Sequence, residues 1–458
     1  MIFALQKNYN ILTMEIEHFE SLYPEDTRFS EIEQILNFVK EGNSCQVVSI
    51  PGVGRSNLLG YLAYNRKVRL KHLEENQKKI HFVLLDFSEI RKRNLADVNK
   101  FIFLGILDSL RERGLTREYE KVNLYFKESV GLNDELVIFS GLKKTVDFLA
   151  VENDLSLVFL FERFEEYVPN LTSEFFANLR VLRNRAKYHF SAVFSLNKPI
   201  EDLVEPMLFS DFFEYVAEKI IYLPVMDKPG LMFRVAYLGK VAGKKIDKQV
   251  FAEVISLTGG HGRLTILCLE AMFSLDKKTS GNKSELTEYF LSKRPIRSSL
   301  FSIWNSLNPS EQQFLMDGKN EPKFLEQVFL CKDGKITIPL FRKFVDKTIM
   351  PGISLKKGEE NEIFYDAGTN EIKIGERAIS DSLTWSEFRL LKLMLENKGK
   401  VLEKDAVINA VWGDKTTTLG VTDQALDQLV FRLRKKIEPN PNNPVYLITI
   451  KGRGFKLN

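Results

Sequence analysis

The chain has 458 residues, more than one compact domain usually holds, and this length suggests about three domains. Hydrophobic residues make up 44% and charged residues 28%, which is ordinary for a globular protein. The net charge of +4 is only weakly basic, so total charge alone does not indicate a nucleic-acid partner. The position of the charge along the chain is more informative.

The cysteines and the longest apolar runs bear on the cellular compartment. Cys45, Cys268 and Cys331 are far apart in sequence, so neither a disulfide framework nor a zinc site is expected. The first ten residues lack the charged leader and long apolar run of a signal peptide. No uninterrupted apolar run approaches the ~18 residues of a membrane-spanning helix. We therefore expect a cytoplasmic protein without a membrane partner.

Short apolar runs alternate with helical patterns in the first half of the chain. Residues 29–40 have helical spacing, and residues 95–113 form a long helical stretch. Five apolar runs predict buried strands at 46–50, 81–87, 155–161, 189–196 and 219–225. This alternation predicts a mainly parallel α/β domain over residues 1–227.

Beyond this domain the pattern changes. Residues 228–296 are helical throughout and predict a lid appended to the sheet. Residues 297–355 predict a small middle domain, for which a degenerate winged helix is one interpretation. Residues 361–458 form the last predicted domain. The expected fold class is therefore multidomain, with an α/β sheet, a helical lid and a winged helix-turn-helix.

A glycine-rich turn follows the first predicted strand. Gly52 and Gly54 would let successive backbone N–H groups form an anion-binding nest at the start of a helix. The P-loop pattern is Gly-x-x-x-x-Gly-Lys-Ser/Thr. Aligned on Gly54, its first position is Ser49 and its lysine is Arg55, while Ser56 keeps the hydroxyl that would reach Mg²⁺. Because arginine differs from lysine in shape, we expect at most a weak ATPase.

Two acids follow the third predicted strand. Glu162 and Glu165 would lie opposite the phosphate loop, where an acid holds the magnesium shell or orients a water molecule. The usual residue there is aspartate. The alternative is that both acids cap the sheet and face solvent.

Together these parts resemble the signal-transduction P-loop ATPases of the STAND type, relatives of the AAA class, over about residues 25–290. The resemblance implies ATP or ADP with Mg²⁺ as ligand. In that family a glycine-histidine turn lies near the nucleotide, so His261 is expected to act as a base or a phosphate contact, and Asn197 as a polar sensor. The alternative for Gly259 and Gly260 is a helix C-cap.

Three arginines precede the fourth predicted strand. Arg180, Arg183 and Arg185 could reach phosphate in a neighbouring subunit, which would make self-association depend on nucleotide. The alternative is an exposed basic face.

Positive charge is concentrated at the end of the chain. Residues 424–458 contain seven lysines and arginines against two acids, a larger local excess than the net charge of the whole chain. A concentrated basic face is typical of phosphate contacts, and a solvated lysine-rich end is the alternative.

The same region predicts a reader of double-stranded DNA. A capping box at Thr384 to Glu387 starts one helix, and a second helix covers about residues 403–411. A third helix, about residues 421–437, buries Leu426, Val430, Leu433 and Ile437. The side chains left on its outer face suit the major groove and are Gln424, Gln428, Phe431, Arg432 and Lys435.

A wing follows the third helix. Residues 445–450 and 454–457 predict two strands around a tight turn that carries Lys451 and Arg453. Two cations on a tight turn suit the narrow minor groove or its phosphates.

This region resembles the OmpR/PhoB-type effector domain of bacterial response regulators. The matching segments, in order, are LTWSEFRLLKLMLENKGKVL, VW, FRLRKKI and TIKGRGFKL. The resemblance implies that Arg432 and Arg434 contact DNA, that Thr449 contacts phosphate and that Lys451 is the basic wing residue. It also implies that the polar loop 413–420 lies where the family contacts RNA polymerase.

Two residues depart from that family, which usually has polar or basic residues at Leu429 and Phe431. Phe431 could touch a thymine methyl group or pack against another domain. Sequence preference is therefore open at this point, and a winged helix used only for protein docking is the structural alternative.

The leading hypothesis is a DNA-binding transcriptional regulator whose winged helix is controlled by a nucleotide-binding STAND-like switch. The alternative is an AAA-type ATPase that acts in DNA replication initiation or loading, with the winged helix as DNA anchor. Such a motor should keep its phosphate-loop lysine and a strand-end aspartate, where this chain has Arg55 and Glu162. A third hypothesis is a scaffold with an inert nucleotide fold.

Overall fold

A computed structural model describes residues 18–131, 134–273, 283–349, 363–366, 371–374, 377–412, 423–438, 440–441, 444–450 and 452–458. The chain forms two compact units. The first runs to Leu269 and includes Lys323–Thr337, and the second comprises Glu270–Pro322 and Ile338–Asn458. The four-part division from sequence stays a prediction.

The first unit contains a five-stranded parallel sheet in its described residues. Its strands are β1 (Cys45–Val48), β2 (Ile80–Asp86), β3 (Ser156–Glu162), β4 (Phe190–Leu196) and β5 (Ile220–Tyr222). They lie in the order β2-β3-β4-β1-β5, and every neighbouring pair is parallel. The predicted parallel α/β architecture is confirmed.

Helices cover the sheet because the chain must cross over between parallel strands. The helices from the start of the described chain to residue 272 are α1 (Phe29–Lys40), α2 (Arg55–Tyr64), α3 (Arg66–Leu73), α4 (Leu95–Glu112), α5 (Thr116–Val130), α6 (Glu135–Val146), α7 (Ser173–Ala186), α8 (Ile200–Leu203), α9 (Pro206–Phe209), α10 (Phe213–Val216), α11 (Lys228–Ala242), α12 (Lys248–Thr258) and α13 (Gly262–Met272). The predicted helical pattern after β5 is confirmed in α11 to α13.

Phenylalanine dominates the core of the first unit beside β3. The ring of Phe164 lies 5.0 Å from the rings of Phe87 and Phe194, and 5.4 Å from that of Phe175. All four side chains are buried. Burial of each contributes roughly 1.5–3 kcal/mol, so this cluster fixes the end of β3, where the predicted acids lie.

Residues 283–349 contain α14 (Lys283–Ser292), α15 (Arg294–Asn305), α16 (Pro309–Asp317), α17 (Lys323–Gln327) and α18 (Pro339–Phe344). A hairpin of β6 (Cys331–Lys332) and β7 (Lys335–Ile336) follows α17, and both belong to the first unit. A capping box at Asn308 starts α16, with Pro309 in the first turn.

The end of the second unit is a winged helix. An antiparallel sheet of β8 (Ile363–Asp366), β9 (Glu371–Ile374) and β10 (Arg377–Ala378) precedes α19 (Trp385–Glu396), α20 (Lys404–Trp412) and α21 (Asp423–Ile437). A second antiparallel sheet has the order β11 (Val401–Leu402), β13 (Gly454–Leu457), β12 (Leu447–Ile450). The predicted helices and wing strands are therefore confirmed to within a few residues at their ends.

The core of the winged helix follows the predicted pattern. In α21 the stripe of Leu426, Val430, Leu433 and Ile437 is buried. Thr384 and Glu387 form the predicted capping box at the start of α19. None of the helices in the described ranges is long and apolar enough to cross a membrane.

Candidate nucleic-acid interface and phosphate loop

The outer face of α21 carries the predicted DNA-reading side chains. Gln428, Arg432 and Lys435 are exposed, and the Arg432 side chain keeps 59% of its surface accessible. Phe431 is 40% exposed, and Nζ of Lys435 lies 4.9 Å from the centre of its ring. The side chain of Gln424 lies outside the described residues. The helix thus presents donors to solvent on the side opposite its buried stripe.

Arg434 has a different position from Arg432. Its Nε donates to the carbonyl of Leu447 at 2.9 Å, and its Nη2 donates to Oγ1 of Thr449 at 2.7 Å. Burial lowers the pKa of the Arg434 guanidinium. Arg434 therefore ties α21 to β12 and orients the hydroxyl of Thr449, the predicted phosphate contact.

The wing is a tight hairpin between β12 and β13. Gly452 lies in its turn with φ of 72°, and Arg453 is exposed with its N–H bonded to the carbonyl of Ile450 at 2.9 Å. Lys451 lies outside the described residues. The turn therefore presents Arg453 beyond the end of the sheet, as the sequence predicts.

Two buried carboxylates hold this frame. Glu438 accepts N–H groups from Val445, Tyr446 and Leu447 at 2.6–3.1 Å, which fixes the start of β12 against the end of α21. Glu387 accepts from Lys436, which also donates to the carbonyl of Ser382. Lys436 is therefore a structural cation, although it adds to the basic excess in the sequence. No sequence signal distinguishes Glu438 from an ordinary acid after a helix.

In the first unit, the glycine-rich turn between β1 and α2 has a left-handed backbone. Gly52 has φ of 85° and Gly54 has φ of 114°, and α2 begins at Arg55. A Cβ on Gly52 would lie 2.7 Å from Cε1 of His261, so only glycine fits this approach. The N–H of Arg263 donates to the carbonyl of Gly52 at 3.1 Å. The structure thus brings the two predicted glycine-containing turns together.

His261 lies in this contact with both ring nitrogens engaged. Nε2 lies 2.9 Å from the carbonyl of Pro51, and Nδ1 accepts the N–H of Leu264 at 3.2 Å. These partners require the neutral ring with its proton on Nε2. Burial lowers the pKa of His261 to about 4. The ring supports the backbone of the loop in this structure.

Arg55 and Glu165 form an ion pair. Nη2 of Arg55 lies 2.7 Å from Oε1 of Glu165, and the two side chains are only 12% and 16% exposed. Glu162 receives a hydrogen bond from Ser56, and burial raises the pKa of Glu162. Both predicted strand-end acids therefore face the phosphate loop, each against one of its predicted ligand-binding residues.

Arg28 supports the same loop, and sequence reasoning did not find it. This buried arginine donates from Nη2 to the carbonyl of Val53 at 3.0 Å and from Nη1 to the carbonyl of Pro224 at 2.9 Å. Asp227 lies 4.0 Å from its Nε. A cavity of about 30 Å³, bounded by Arg28, Asp227 and residues of the loop, separates the loop from α11. That volume holds about one water molecule.

The remaining predicted polar residues have mixed surroundings. Oδ1 of Asn197, after β4, is buried and has no hydrogen-bond partner among the described side chains and backbone. Arg180 pairs with Asp211 at 2.8 Å, and Arg185 pairs with Asp147. In the parts of the chain that the structure describes, no three His, Cys, Asp or Glu side chains group as metal ligands.

Comparison with known proteins identifies the winged helix. Residues 380–457 match the family described as "Transcriptional regulatory protein, C terminal". The sensory transduction protein RegX3 of Mycobacterium leprae is 38% identical over 99 residues, which is 22% of this chain and 48% of that protein. The chain thus spans about half the length of this curated relative.

Solved structures give more distant likenesses. The DNA-binding domain of RstA from Klebsiella pneumoniae, solved in complex with the RstA box, is 22% identical and covers 20% of this chain and 87% of its own, with a TM-score of 0.17. A Walker-type ATPase of Pyrococcus abyssi is 10% identical and covers 72% of this chain and 97% of its own, with a TM-score of 0.42. The sequence match places residues 380–457 in the C-terminal domain of transcriptional regulatory proteins, and the described residues of the first unit contain a parallel α/β sheet with helices.

Proposed function

We propose that this protein is a DNA-binding transcriptional regulator in which a nucleotide-binding α/β unit controls a winged-helix output. The observation that carries the proposal is the exposed face of α21. Gln428, Arg432 and Lys435 lie on the side of this helix opposite its buried stripe, and Arg453 is exposed on the wing. The family that matches residues 380–457 is described as the C-terminal part of transcriptional regulatory proteins, which supports the same output.

The proposed DNA contacts follow from the chemistry of each side chain. Arg432 forks onto a guanine edge in the major groove, and Gln424 and Gln428 pair with adenine edges. Arg453 and Lys451 contact the minor groove or its phosphates. Arg434 contributes by holding Thr449 toward a phosphate, because its guanidinium already bonds β12. Double-stranded DNA is therefore the partner, and contact of loop 413–420 with RNA polymerase is part of the proposal.

The proposed nucleotide is ATP or ADP with Mg²⁺, and the residues of the loop fit it. The backbone of Gly52 and Gly54 precedes the N-terminus of α2, which favours phosphate. The Ser56 hydroxyl and the Glu162 carboxylate, already bonded to each other, would hold Mg²⁺, which neutralises phosphate charge when bound. Oδ1 of Asn197 is a buried atom that still needs a partner.

Control of the output requires two states of the α/β unit. The space between the loop and α11 is only about 30 Å³, and we propose that nucleotide binding moves α11 away from the loop. A ligand that favours one of two positions shifts the population between them. We propose that this shift either frees the winged helix or pairs the winged helices of two copies of the chain through self-association.

Selection of bound sequences from random duplexes, with and without Mg-ATP, tests the proposal on the full chain. We expect a specific sequence to be enriched, and nucleotide to change its affinity. If nucleotide changed neither the enrichment nor the oligomeric state, the proposed nucleotide control would be wrong. The proposed DNA binding by the winged helix would still stand.

A further inference from the structure

The arginine of the phosphate loop, Arg55, forms an ion pair with the carboxylate of Glu165. The residue that follows the last glycine of a P-loop reaches the β- and γ-phosphates of a nucleotide. Arg55 holds that place, and its Nη2 is bonded to Glu165 at 2.7 Å. We propose that Glu165 is a specificity-determining residue. Its carboxylate occupies the position that the γ-phosphate of a triphosphate would take, so the loop prefers a nucleoside diphosphate to a triphosphate. This inference rests on the proposed nucleotide binding.

The position of Glu165 is fixed by its neighbours in the chain. Arg163, directly after β3, has a left-handed backbone with φ of 51° and bonds Asp86 from Nε at 3.0 Å. A short 3-10 helix, Phe164–Glu166, follows, and Phe164 is fully buried among aromatic rings. This anchored turn directs Glu165 onto the loop. The pair is also mostly buried, so water screens it far less than a surface ion pair.

The ion pair leaves one atom of each partner unused. Nη1 of Arg55 and Oε2 of Glu165 are buried and have no hydrogen-bond partner in the described part of the chain. An arginine and a carboxylate can form two parallel bonds, and this pair does not. Arg55 can therefore keep Glu165 on Nη2 while Nη1 binds one oxygen of a β-phosphate. A nucleoside diphosphate can therefore bind Nη1 while Nη2 stays paired with Glu165.

A nucleoside triphosphate cannot bind in the same way while Glu165 stays paired with Arg55. Its γ-phosphate would enter the space of the Glu165 carboxylate, where two negative charges share a poorly hydrated site. Binding then requires either displacement of Glu165 from Arg55 or acceptance of the repulsion. Each costs affinity for the triphosphate and spares the diphosphate, since only the γ-phosphate competes.

Calorimetric titration of the full chain with Mg-ADP and with Mg-ATP tests the inference. We expect wild type to bind ADP about tenfold more tightly than ATP, and Glu165→Gln to reduce that ratio to near one, chiefly through tighter ATP binding, because the amide carries no charge. Glu166→Gln is the matched control. Glu166 lies in the same short helix but pairs with Arg91, so its substitution should leave the ratio unchanged.

A second variant keeps the test decisive if Glu165→Gln does not fold. Glu165→Asp retains the charge and withdraws the carboxylate by one methylene, so the ratio should fall between those of wild type and Glu165→Gln. Folded variants that bind both nucleotides with the wild-type ratio, or lose both equally, would show a purely structural ion pair and overturn the inference alone. Absence of nucleotide binding in wild type and in folded Glu165→Gln would overturn the inference and the proposed nucleotide function together.

Discussion

The buried ring of His261, which contacts the glycine-rich loop, makes the stability of the fold depend on pH. Burial lowers its pKa from 6.5 to about 4, and burial likewise lowers the pKa of His81 to about 3. Between these values and 6.5 the unfolded chain binds more protons than the folded chain, so stability is lost as the pH falls below 6.5. Protonation of His261 would place a proton on Nδ1, which faces the N–H of Leu264.

We therefore predict that His261→Asn flattens the acid side of the stability profile. Removal of one titrating group should reduce the loss of unfolding free energy between pH 6.5 and 4.5 by roughly 2 kcal/mol, at up to about 1.36 kcal/mol per pH unit. Urea unfolding of wild type and variant at several pH values measures this difference. Parallel profiles would show that His261 does not titrate on unfolding.

Arg432 is the residue from which the largest loss of DNA affinity is expected. Among the described residues, its exposed guanidinium makes one long contact, of 3.9 Å, with Glu387. We predict that Arg432→Ala weakens duplex binding by roughly 1–3 kcal/mol, measured by fluorescence anisotropy. Arg389→Ala removes the same charge from an exposed position on α19 and should leave affinity unchanged. Equal effects of the two substitutions would indicate non-specific charge rather than a base contact.

Among the elements, the wing depends on one glycine. Gly454 has φ of 132°, and a Cβ there would lie 1.9 Å from the carbonyl oxygen of Leu402. Because β13 pairs with both β11 and β12, Gly454→Ala should separate β11 from β13 and destabilise the winged helix by roughly 3 kcal/mol or more. Urea unfolding of the full chain measures this loss.

Gly452 provides the control for the wing. It has φ of 72°, but in the described part of the chain nothing lies within 4 Å of an added Cβ, so Gly452→Ala should cost only roughly 1–2 kcal/mol, from the left-handed backbone. If both substitutions had the same effect, the close approach to β11 would not be important for stability.

The elements with local signals could be predicted from the sequence. The capping box at Thr384 and the buried stripe of α21 depend on residues within a few positions of each other. The fifth strand was predicted over 219–225 but pairs only at Ile220–Tyr222, opposite β1, which ends at Val48. The length of a strand is set by its partner, which local pattern does not reveal.

Contacts between distant segments could not be predicted. Arg28 bonds the carbonyl of Pro224, and Glu438 organises the start of β12 across an intervening loop. The ion pair of Arg55 and Glu165 similarly joins a loop and a strand end, which the sequence predicts as separate features. The residue types of the site were readable from the sequence, but their partners depend on the folded sheet.

The whole molecule contains an α/β unit with a glycine-rich turn after its first strand and a winged helix. The chain divides into two compact units, so coupling between them must be measured in the full chain. The central claim is that the winged helix binds double-stranded DNA, because the switch has no output without it.

Anisotropy of a labelled duplex, titrated with the full chain at increasing salt, tests that claim most directly. The cations left free for DNA on α21 and the wing should contact about three or four phosphates, so the logarithm of the association constant should fall with the logarithm of salt concentration at a slope of about −3. A folded chain that binds no duplex at about 50 mM salt, or binds with no dependence on salt, would contradict the account.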